Sequence, residues 1–204
     1  MNSLREELGG TPDTRPTPFT LLCPPGWRRV SATSLAEHAG AAPLESTLRE
    51  AARPDLLLQW RRLQASYRTA VRDAGVFQAY LAPQLDGIPL PAVLLVAPLV
   101  LPGTTPWDAA LRRIARTADV VDAPFTETPM WMWRTPERFA DVHSVMVGQS
   151  SHYVVPAPEA AARRALHFHF TVLVADEPGA RELIEPLLAT GDLIMSTMRW
   201  RAGA

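Results

Sequence analysis

Ala165-Leu-His-Phe-His-Phe-Thr-Val-Leu-Val174 is the stretch on which the fold assignment rests. Seven of its ten residues are apolar, several of them β-branched or aromatic, as a half-buried strand requires. Phe168, Phe170, Val172 and Val174 alternate, so they share one face at period two. His167 and His169 take the other. A helical run follows from about Gly179 to Trp200, with Leu183, Leu187, Ile194 and Met198 on one stripe. Pro186 should kink or break it, because its ring removes one backbone bond and crowds the turn before. A central strand feeding a helix that lies back across the sheet is the element around which the rest is arranged.

Working outward, the chain has 204 residues, enough for one domain with a sizeable core. It is 47% hydrophobic and 20% charged, as globular proteins are. The formal net charge is −1, so no bulk field draws it to nucleic acid or an anionic membrane. All 20 basic residues are Arg, which together with abundant Ala and Pro reads as genome composition. The single cysteine, Cys23, excludes an internal disulfide and fits a reducing cytoplasm. Met1 to Glu7 shows no basic start followed by an apolar run, so no signal peptide is expected. Ile88 to Pro102 is too short and too interrupted by proline to cross a bilayer.

Residues 1–16 read as a polar tail and 17–204 as one domain. Pro18 to Cys23 reads as a first strand, closed by a Pro24-Pro-Gly-Trp27 turn, with Trp27 and Val30 returning to the core. Residues 31–43 read as a loop and Leu44 to Ala52 as a short helix. A clear amphipathic helix follows: Leu56, Trp60, Leu63, Tyr67, Ala70 and Ala74 form its apolar stripe, and Gly75 its C′ residue. Its Arg61, Arg62, Arg68 and Arg72 read as a solvated face. Val76–Pro83 and Leu90–Val100 form strands joined around Asp86-Gly87, with Pro91 and Pro98 pointing to an edge or bulge. Thr105, Pro106 and Asp108 predict a capped helix start, with Trp107, Leu111, Ile114 and Ala118 on the buried stripe. Strands are expected at Val120-Val121, Met130–Trp133, Val142–Val155 and Ala165–Val174, the third bent or bulged at Gly148-Gln-Ser-Ser151. Pro156 to Ala162 reads as a turn. No internal repeat or second domain is visible.

Phe19-Thr-Leu-Leu-Cys-Pro-Pro-Gly-Trp27, Tyr153-Val-Val-Pro-Ala-Pro158 and Met195-Ser-Thr-Met-Arg-Trp200 occur in the order in which such motifs occur in the PsbP-like family, which also contains the Ran-binding Mog protein. The chain resembles that family over about residues 17–200. It departs from it in the long first helical region, 44–74, and in Pro186. The resemblance implies an α+β, single-domain α/β/α sandwich with a mostly antiparallel sheet covered by helices on both faces. It also implies a non-enzymatic binding or accessory role, for family members include extrinsic photosystem subunits and chaperones of secreted effectors. It carries no catalytic motif over.

His167 and His169 share a strand face and could hold zinc if His143 or His152 joined them, but no Cys or HExxH spacing supports a metal. Cys23 has no basic neighbour in sequence to lower its pKa and reads as core. Asp122, Glu127, Glu137 and Asp141 are not spaced to pair, and no phosphate loop or GxSxG occurs. No cofactor is expected. The aromatic content is more suggestive: Met130-Trp131-Met132-Trp133 is apolar on both faces, and one face could stay open to a partner, rimmed by Trp107 and the Pro-rich 98–106 loop. The partner-binding candidates are therefore Trp107, Met130, Trp131, Met132 and Trp133, for another protein or peptide or for a second copy in a homodimer. The leading expectation is a cytoplasmic binding module, an accessory or chaperone-like factor for another bacterial protein, including a secreted one. A metal-dependent or small-molecule enzyme using His167 and His169, and a structural subunit of an assembly, are the alternatives.

Overall fold

The computed structural model describes residues 18–34, 69, 71–85, 88–101, 103–140, 145–159 and 162–201. The tail at 1–16, the helix expected at 44–52 and most of the Trp60 helix lie outside the described residues. The strands are β1 (Phe19–Thr20), β2 (Arg28–Ser31), β3 (Gln78–Leu81), β4 (Gln84–Leu85), β5 (Ile88–Pro89), β6 (Ala92–Val100), β7 (Val121–Asp122), β8 (Trp131–Ala140), β9 (Val145–Pro156), β10 (Arg164–Ala175) and β11 (Arg199–Trp200). The helices that lie wholly among the described residues are α1 (Trp107–Ala115), α2 (Pro178–Arg181) and α3 (Ile184–Ser196). β2, β3, β6, β10, β9, β8 and β7 form, in that order, one seven-stranded sheet, with every pairing antiparallel.

The alternation read from 165–174 holds along all of β10. Leu166, Phe168, Phe170, Val172 and Val174 point to one face and are buried there with Tyr153 and Val155 of β9 and Leu94 and Val96 of β6. α3 lies on that face through Leu187, Leu188, Ile194 and Met195, and Met198 just beyond it is buried too. The helix approaches closely: a Cβ at Gly191 would sit 2.8–3.0 Å from the Phe170 ring. Gly75, as expected, takes a positive φ of 66°, and so does the turn glycine Gly26, at 87°.

The terminal helix departs from the expectation in part. It does not run to Trp200, and it is broken in the turn before Pro186, between α2 and α3, as expected. α3 begins at Ile184, which places Pro186 in the first turn, where a backbone N–H has no intrahelical acceptor to lose. Leu183, expected on the buried stripe, precedes the helix and is exposed. The chain then forms β11, whose Trp200 pairs with Phe19 of β1. The opening strand is shorter than read from sequence, only Phe19–Thr20.

Pro98 indicated an edge or bulge, yet β6 lies inside the sheet. Its amide position points towards β3, and β3 ends at the Gln78–Val96 pair, so no partner there needs a donor. Pro91 stands just before the strand and only accepts, from the Leu173 N–H. The bulge expected at Gly148–Ser151 is absent: β9 stays in continuous register with β8 and β10. Gly148 serves close approach instead, because a Cβ there would collide with the Val172 carbonyl. α1 starts at Trp107 with Pro106 as cap and no side-chain capping bond; Asp108 pairs with Arg112 rather than completing a box. Ala115, not Ile114, continues its buried stripe.

The second face of the sheet carries a smaller core, in which Leu111 and Ala115 of α1 meet Trp133, Val154 and Ala165. Among the described residues no other helix covers that face. The architecture is thus a large antiparallel sheet with few helices.

Candidate functional site

β8 alternates like any strand, so Trp131 and Trp133 point to the second face while Met130 and Met132 serve the first. Position along the strand then separates the members of each pair. Trp133 is 2% exposed beneath α1, whereas Trp131, at the strand's start, is half-buried. Met130 is buried in the α3 core, and Met132 is half-buried against it. Trp107, at the start of α1, lies against Trp131 with ring centroids 5.5 Å apart and planes tilted by 33°. Its indole N–H donates to the Ala162 carbonyl at 2.9 Å, which fixes the ring.

These two indoles form one wall of a cavity of about 730 Å³. Trp200 and the prolines Pro106, Pro129, Pro156 and Pro158 supply much of the remainder. Of the partner-binding candidates, the structure brings Trp107 and Trp131 together in this groove. The sequence reading missed Trp200, Pro129, Pro156 and Pro158. Pro156 to Ala162 was recognisable as a turn, but nothing in its composition tells which indole it faces. A proline-lined wall offers few backbone N–H groups, so an occupant would be gripped by ring faces rather than by strand pairing.

A second cluster occupies the middle of the same sheet face. Register sets His169 opposite His152, and Trp133 opposite His152 on its other side. The rings stack: Trp133 and His152 are 4.8 Å apart at 5°, and His152 and His169 are 4.4 Å apart at 12°. His167 lies 5.3 Å from His152 and 5.7 Å from Trp133. Hydrogen bonds tie the rings together. Thr135 Oγ1 lies 3.1 Å from His152 Nε2 and 3.4 Å from Glu137 Oε1. His152 Nδ1 lies 3.2 Å from His167 Nε2, so between them one nitrogen donates and the other accepts. Thr171 Oγ1 lies within bonding distance of both His169 Nε2 and Ser150 Oγ, at 3.1 Å each.

Burial keeps these imidazoles neutral. Desolvation, reinforced by the neighbouring histidines, lowers the His152 pKa to about 3, and desolvation with His169 lowers that of His167 to about 4. His169 is lowered as well, by burial, with Glu137 acting against the shift. Stacked rings aim their nitrogen lone pairs along parallel planes and do not converge on one point. Accordingly, among the described residues no three His, Cys, Asp or Glu side chains are placed to hold a metal ion. His143 and Asp141 lie outside the described residues.

Cys23 is half-buried, and burial pushes its thiol up to about 11, far from a nucleophile's range. Asp122 and Glu127 are exposed, and Glu137 accepts from Thr135 and faces His169. No described helix is long and apolar enough to cross a membrane.

No family model and no curated protein matches this chain. A 1.50 Å crystal structure of a protein from Bacteroides thetaiotaomicron is similar to it at a TM-score of 0.44 and 11% identity, over 90% of this chain. The chain spans 45% of that protein's length.

Proposed function

We propose that this chain is a non-enzymatic, cytoplasmic protein-binding module, an accessory or chaperone-like factor for another bacterial protein, including a secreted one. The fold reading that accompanies it is an α/β/α sandwich of the PsbP-like kind, with helices over both sheet faces. One observation carries the proposal: the groove lined by Trp107, Trp131 and Trp200 together with four prolines. Its volume is that of a ligand site, and half-exposed indoles are the anchors that protein interfaces favour. The histidine cluster supports an enzyme less well, since its imidazoles stack, lie buried and stay uncharged.

The test is capture of partners from the native host with wild-type protein and with Trp131→Glu and Trp133→Glu. Trp131→Glu should keep the far-ultraviolet spectrum and melting transition yet lose the captured partner. Trp133→Glu should unfold the domain, because it buries an unpaired carboxylate under α1. A partner retained by a folded Trp131→Glu variant would remove the groove from the function.

A further inference from the structure

β2 is an edge of the sheet, and its bonding pattern can be read from its neighbours. Ala32 N–H donates to the Phe77 carbonyl at 3.1 Å, in register with the Val30–Ala79 and Arg28–Leu81 pairs. In an antiparallel ladder bonded pairs alternate with unbonded ones, so Arg28 and Val30 turn their backbone groups inward to β3. The N–H and C=O groups of Arg29 and the N–H of Ser31 therefore point outward, and among the described residues they have no partner; the Ser31 C=O is taken up by the helix that starts at Ala32.

The side chains add a sign to this open edge. Arg28 and Arg29 are both exposed, and among the described residues neither makes an ion pair. Residues adjacent on a strand project to opposite faces, so the pair puts one guanidinium above the edge and one below. Opposite them on β3 stand Leu81 and Tyr80, which offer no carboxylate. A groove of about 640 Å³ runs here, lined by both arginines, Val30, Ser31, Phe77 and Gln78. The chain as a whole is near neutral, so this positive charge is local.

We infer that β2 accepts an extended segment of another protein as an eighth strand, and that this segment carries two adjacent carboxylates. The free N–H and C=O groups supply the ladder, and the half-buried Val30 and Phe77 accept an apolar side chain. Adjacent Glu or Asp residues alternate faces as the arginines do, so each meets its own guanidinium across the strand. Charges on an edge also protect it from unwanted pairing. Both roles agree: pairing with a second copy would put four arginines on two four-residue strands, whereas an acidic strand neutralises them. This surface is independent of the Trp–Pro groove.

A labelled peptide, capped Thr-Val-Glu-Glu-Val-Thr, tests the inference by fluorescence anisotropy beside its Lys-Lys counterpart. Wild-type protein should bind the acidic peptide at least tenfold more tightly, and Arg28→Glu/Arg29→Glu should reverse the preference. Amide exchange at Arg29 and Ser31 should slow on binding. Trp131→Glu should bind the peptide as wild type does, so a failed groove and a failed edge are told apart. The inference is overturned by no binding, by equal binding of both peptides, by a preference the charge reversal leaves unchanged, by loss of binding in Trp131→Glu, or by a dimer in light scattering that protects the Arg29 and Ser31 amides.

Discussion

Acidification from pH 8 to pH 5 should destabilise this protein through the ring stack, and by an amount that the structure sets. In the unfolded chain a histidine titrates near 6.5, so at pH 5 it is almost fully protonated. Folded His152 and His167, held near 3 and 4, remain neutral at pH 5. The unfolded state therefore binds more protons, and stability falls as pH falls. Each histidine costs about 1.36 kcal/mol per pH unit over the 1.5 units between 6.5 and 5, or about 2 kcal/mol. The two together cost about 4 kcal/mol, a large share of the 5–15 kcal/mol typical of a domain. His169, lowered as well, acts in the same direction. The loss continues down to the folded pKa values and then levels off. Ring–ring coupling does not alter the figure in this window, because neither folded ring has yet taken a proton. Urea melts at both pH values, on wild type and on His152→Gln and His167→Gln, separate this term from the carboxylates. Each variant should lose about 2 kcal/mol of the acid-induced decline, the share its histidine contributed. A decline unchanged to within about 0.5 kcal/mol in both variants would refute the account of a buried, neutral stack.

Gly148→Ala should cost at least 1–3 kcal/mol in denaturant melts, because its Cβ meets the Val172 carbonyl, which is backbone and cannot rotate away; a cost under about 0.5 kcal/mol would mean that β9 and β10 are not so closely apposed. Stoichiometric zinc should leave the melting temperature of wild type where it is, since stacked imidazoles offer no site whose occupancy would stabilise the fold. A rise with zinc that His167→Ala/His169→Ala abolishes would restore the metal reading.

Much of this could be read from the chain alone. Period-two alternation in 165–174 gave the face of every β10 residue, because side-chain direction in a strand is a local property. It placed His167 and His169 opposite Phe168 and Phe170 before any partner strand was known. The Pro24-Pro-Gly-Trp27 turn and the Gly75 cap were legible for the same reason: each depends on the backbone freedom of one glycine. Pairing and position along a strand were not legible. That His152 lies against His169 follows from the β9–β10 register, set by the cores on both faces of the sheet rather than by those residues. Trp131 and Trp133 have the same parity and chemistry, so no pattern in Met130–Trp133 could tell that α1 buries one and leaves the other half-open. Pro98 indicated an edge because a missing donor is a local fact, but whether a neighbour asks for that donor depends on where β3 ends. Sequence determined which way each side chain points; only the tertiary structure decided what it meets, because contact depends on elements distant in the chain.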